Sequence, residues 1–78
     1  MRKKERKTVI TFATTTAAIH MEQCCKKEQL PGRLIPVPTA ITAGCGLSWA
    51  MYPSEKEPVL AMMEREGIVA EGIYELDI

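Results

Sequence analysis

Three features of this 78-residue chain predict an α+β fold. Short β-branched and aromatic runs alternate with two stretches whose apolar residues recur every three or four positions. Proline and glycine mark the joints between these stretches. The length allows only one domain, because a second would have no core of its own.

Lys7-Thr8-Val9-Ile10-Thr11-Phe12 reads as the first strand. Thr14, Thr15 and Thr16 follow, and a threonine hydroxyl there can cap a helix by accepting from a free backbone N–H. The first helix is expected from about Thr15 to Glu28. Ala17, Ala18, Met21, Cys24 and Cys25 share its apolar face, and Leu30-Pro31-Gly32 ends it. Arg33 to Val37 reads as the second strand. Pro36 and Pro38 cannot donate to a ladder, so it belongs at a sheet edge. Thr39 to Gly44 is a loop of small residues, and Gly46 to Tyr52 is the third strand. Ser54 and Glu57 have the spacing of a capping box, with Pro58 tolerated in the first turn of a second helix that stops at Gly67. Ile68 to Leu76 reads as the fourth strand. Its buried face is open between Val69 with Ile73 and Tyr74 with Leu76. This order is two βαβ units sharing a central hairpin. It gives a ferredoxin-like βαββαβ sandwich, with a four-stranded antiparallel sheet and both helices on one face. The domain is expected over residues 7–78, after a disordered basic lead-in at 1–6.

The basic run over residues 2–7 holds Arg2, Lys3, Lys4, Arg6 and Lys7 against Glu5, while the whole chain is neutral. It reads as a solvated terminus rather than a nucleic-acid contact, because the basic charge does not continue as a stripe. The order of elements also matches one RNA-recognition fold, which stacks bases on exposed sheet aromatics. Trp49 and Tyr52 lie three apart and would face opposite sides of the sheet, and no basic-glycine-aromatic run is present. Nucleic acid is therefore not expected as a partner. No run approaches the roughly 18 apolar residues of a membrane span, and no apolar signal core follows the basic residues. The expectation is a cytoplasmic protein with no membrane association. A core this small would gain from a second copy or a partner.

Three cysteines, two of them adjacent, do not read as a disulfide framework. In a reducing compartment they are buried thiols, reactive thiols or metal ligands. Cys45 stands between Gly44 and Gly46. Neither glycine has a β-carbon, so a second molecule can approach the sulfur, and their N–H groups can form a concavity for an anion. A transferable thiolate needs that access and a positive field. Arg33 or Thr42 would supply stabilisation. The plainer alternative is a small buried hydrophobe at a strand start, as most free cysteines are.

The stretch Arg33-Leu34-Ile35-Pro36-Val37-Pro38, followed by Ile41-Thr42-Ala43-Gly44-Cys45-Gly46-Leu47, resembles the signature of a family of very short proteins described as selenium/sulfur carrier-protein-like. The similarity runs from about Thr8 to Tyr74 and is most specific over residues 33–47. The matching residues are Arg33, Ile35, Pro36, Pro38, Gly44, Cys45 and Gly46. The resemblance implies that Cys45 carries sulfur or selenium as a persulfide or selenopersulfide. The partners it implies are donor and acceptor proteins of sulfur or selenium transfer, and it implies no bound cofactor.

Cys24 and Cys25 point about 100° apart on a helix, which does not make a metal-binding pair. They are read as core residues, at positions where the resembled family places aliphatic side chains. No metal site is expected. His20 is read as a solvated residue lacking a cysteine or carboxylate partner. A second functional class stays open: a non-catalytic module that binds partners through the open sheet face. Leu47, Trp49 and Met51 alternate along the third strand and either form that apolar patch or lie beneath the helices.

Overall fold

A computed structural model describes residues 4–41 and 45–78. Four strands and two helices run in the order β1 (Arg6–Thr11), α1 (Thr15–Lys27), β2 (Arg33–Pro36), β3 (Leu47–Met51), α2 (Lys56–Glu66) and β4 (Gly72–Asp77), with a 3-10 turn at Pro53–Glu55 before α2. The sheet order is β2-β3-β1-β4 with every neighbouring pair antiparallel. This is the ferredoxin-like α+β arrangement that the alternation of patterns predicts.

Strand periodicity divides the sheet into two faces. Ile10, Phe12, Trp49 and Met51 form one core with Ala18, Met21, Cys24 and Cys25 of α1 and Val59, Met62 and Met63 of α2. The register pairs Ile10 with Trp49 and Thr8 with Met51, so all four project toward the helices. Leu47, Trp49 and Met51 therefore lie beneath the helices, and the open face gains no apolar patch from them. On that other face Val9 opposes Ala50 and Thr11 opposes Ser48, and all four are buried. Thr11 Oγ1 donates to the Gly72 carbonyl at 3.3 Å and Ser48 Oγ to the Ile35 carbonyl at 3.4 Å, so these two buried hydroxyls are partnered.

The element ends follow local chemistry, with two departures from expectation. Thr14 is the cap of α1, and its hydroxyl accepts from the Ala17 N–H at 3.1 Å. The helix stops before Leu30-Pro31-Gly32. Gln29 takes the left-handed conformation at φ 56°, and the Leu30 N–H reaches back to the Cys25 carbonyl at 2.8 Å. Ser54 does not cap α2: Pro53 opens a 3-10 turn, and Glu55 accepts from the Tyr52 N–H at 3.0 Å. Pro58 falls in the first turn of α2, where its missing N–H has no intrahelical partner to lose. After Gly67 the Ile68 N–H closes on the Met63 carbonyl at 2.8 Å and buries Ile68. This closure delays β4 until Gly72 and leaves Val69 79% exposed outside the strand. The two candidate faces of β4 share their exposure, with Ile73 at 46% and Tyr74 at 40%, because β4 is an edge strand.

At the N-terminus the strand reaches into the expected lead-in. Arg6 pairs with Asp77, and Glu5 and Ile78 exchange both backbone hydrogen bonds at 3.0 Å. Lys7 lies 4.2 Å above the Tyr52 ring, whose hydroxyl donates to Glu5 at 3.0 Å. Arg2 and Lys3 lie outside the described residues.

Candidate functional site

The β2–β3 connection holds Cys45. β2 ends at Pro36, and the Val37 N–H bonds the Gly46 carbonyl at 3.0 Å, closing the neck of the loop. Within it the Ile41 N–H bonds the Pro38 carbonyl at 2.9 Å, and Ile41 is buried. Gly46 has φ 77°, and among the described residues a β-carbon placed there would meet nothing within 4 Å. The glycine is needed for the backbone turn into β3.

Cys45 is half-buried, and its side chain packs against the edge of the helix-side core. Its thiol donates to the Leu47 carbonyl at 3.3 Å, and the Leu47 N–H points back at the sulfur at 3.4 Å. An N–H aimed at sulfur is the kind of partner that an anionic sulfur takes. The thiol lies between the accessible and the buried alternatives, because its side chain leans inward.

Arg33 is not brought to Cys45. It pairs with Ala50, at the opposite end of the β2–β3 ladder from the Pro36–Leu47 pair that adjoins the Cys45 loop. Its neighbour Leu34 pairs with Trp49 and packs on the helix side, so Arg33 faces the opposite way. There it lines an open groove of about 440 Å³ with Glu5, Lys7, Ile35, Pro38 and Ala50. The positive charge assigned to the thiol from sequence thus serves another face. Thr42 and Gly44, the remaining expected loop residues, lie outside the described residues.

The helix cysteines contrast with Cys45. Both Cys24 and Cys25 are buried in the core, as the apolar periodicity of α1 predicts. Burial, then the neighbouring Cys24 and Glu28, push the Cys25 thiol up to about 11. Burial, followed by the Glu66 and Glu28 carboxylates, also pushes the Cys24 thiol up. Both are poor nucleophiles near neutral pH. His20 is exposed, as expected of a solvated residue, but it does not lack a cysteine and a carboxylate neighbour. One helical turn separates it from Cys24, and Glu66 at the end of α2 completes a group whose ligand atoms all lie within 4.8 Å of one another. The i, i+4 spacing of His20 and Cys24 was visible in the sequence. The approach of Glu66 was not, since it depends on how α2 packs on α1.

A family model described as "Putative Se/S carrier protein-like" matches residues 7–75, nearly the whole chain. No curated protein and no solved structure matches.

Proposed function

The chain belongs to the Se/S carrier protein-like family, and we propose on that premise that it carries sulfur or selenium on Cys45. The observation that carries this reading is the contrast among its three thiols. Cys45 is half-buried where Cys24 and Cys25 are buried, and it sits at a loop neck with no described residue within 4 Å of a β-carbon at Gly46 and an N–H directed at its sulfur.

The chemistry is a pair of displacements at sulfur. The Cys45 thiolate attacks the terminal sulfur of a donor protein's persulfide. A new S–S bond forms on Cys45, the donor S–S bond breaks, and the donor leaves as a thiolate. An acceptor nucleophile then attacks that terminal sulfur and releases the Cys45 thiolate. Each step is redox-neutral and needs no resident cofactor. With selenium the terminal atom changes and the bookkeeping stays the same. The partners are a donor and an acceptor protein in a reducing compartment such as the cytoplasm. Among the described residues no helix is long and apolar enough to cross a membrane.

The test is persulfide transfer from a cysteine desulfurase to the purified chain, read by intact mass. The native chain is expected to gain one sulfur atom, and Cys45→Ala is expected to gain none while keeping its far-ultraviolet circular dichroism. Equal loading of the variant would overturn the reading.

A further inference from the structure

We propose that His20, Cys24 and Glu66 form a zinc-class metal site that clasps α1 to the C-terminal end of α2. His20 and Cys24 are four residues apart on α1, so their side chains project from one face of the helix, one above the other. Glu66 is the last residue of α2 and closes the set from the other helix. One donor atom from each lies within 4.8 Å of the others. A tetrahedral ion with bonds of about 2.0–2.3 Å sets its donors about 3.5 Å apart. Rotamer adjustment of about 1 Å therefore completes the site, and His20 and Glu66 are on the exposed surface, where such adjustment is free.

The donor set selects the metal class. One sulfur, one imidazole nitrogen and one carboxylate oxygen suit zinc and disfavour magnesium or calcium, which take oxygen alone. Three protein ligands leave the fourth position to water. On binding, the Cys24 S–H bond breaks, its proton passes to solvent and the sulfur binds the metal as thiolate. Neutral His20 contributes a lone pair. Glu66 shares Arg65 with Glu28, so turning toward the ion leaves that guanidinium still paired. A clasp between helices suits a domain this short, whose hydrophobic core alone is marginal.

This site is separate from Cys45, and its test keeps the two apart. The reduced full chain is titrated with zinc against a chromophoric chelator, and with cobalt(II) while its absorption is followed. One ion per chain and a thiolate-to-cobalt charge-transfer band are expected. Cys24→Ser is expected to remove the band. His20→Ala and Glu66→Gln are each expected to weaken zinc binding by at least about tenfold, since even outer-shell losses cost that much. These two exposed positions decide the matter even if Cys24→Ser fails to fold. Cys45→Ser is expected to bind zinc as the native chain does. Absence of one-to-one binding, unchanged affinity in His20→Ala and Glu66→Gln, or loss of the band in Cys45→Ser would overturn the proposal.

Discussion

Cys24 and Cys25 lie in the middle of a helix, with Met21 and Ala18 on the same face and the sheet beneath them. Cys45 lies where a loop re-enters the sheet, with the core on one side of its sulfur and, among the described residues, nothing within 4 Å of a β-carbon at Gly46. The three residues are chemically identical, and their environments give them different work. Around α1, desolvation and nearby carboxylates hold the thiols protonated and shielded from a second protein. At the loop neck the sulfur keeps one approach open. The two regions also use glycine differently. A β-carbon at Gly32 would come within 2.3 Å of Trp49 Nε1 and 2.8 Å of the Ala50 carbonyl oxygen, while one at Gly46 would touch none of the described residues. One glycine makes room for packing and the other only sets the direction of the chain.

The comparison breaks most decisively on thiol reactivity. With limiting iodoacetamide at pH 8, followed by peptide mass spectrometry, Cys45 is expected to be modified at least about tenfold faster than Cys24 or Cys25 in the native, metal-free chain. Equal rates would mean that the loop neck confers no access, and the contrast between the regions would fail. In denaturant all three are expected to converge, because the difference belongs to the fold.

The glycines sharpen the comparison at smaller scale. Gly32→Ala is expected to destabilise the domain by about 2–4 kcal/mol in urea unfolding, since it combines positive φ with displacement of a buried indole. Gly46→Ala is expected to cost about 1 kcal/mol, the backbone term alone. If the two cost the same, the Trp49 contact contributes nothing and the packed side of the sheet is looser than the loop. Gly46→Ala is also expected to leave Cys45 alkylation within about threefold of native, because the added methyl group enters open space.

Much of the fold was legible because local chemistry and global packing agree. The β-branched runs, the threonine cap and the apolar face of α1 each point to the element they form. The misreadings occur where two local signals compete. Ser54 and Glu57 matched a cap by spacing, yet Pro53 started a 3-10 turn first and passed the capping contact to Glu55. Ile68 and Val69 looked like strand residues, but Ile68 is taken up by the closure after Gly67. Cys45 was legible as a candidate through its glycine neighbours. That Arg33 is remote from it required the register, since shifting a strand by one residue exchanges its faces.

By itself the sequence determined the order of strands and helices, the burial of the α1 cysteines and the choice of Cys45 as the thiol to watch. Those properties follow from periodicity and from residue types within a few positions of each other. Only the tertiary structure decided that Leu47, Trp49 and Met51 face the helices, that Arg33 serves the opposite face, and that Glu66 meets His20 and Cys24. Each of these depends on partners more than a dozen residues away, and side-chain spacing along the chain carries no record of how two distant segments come to face each other.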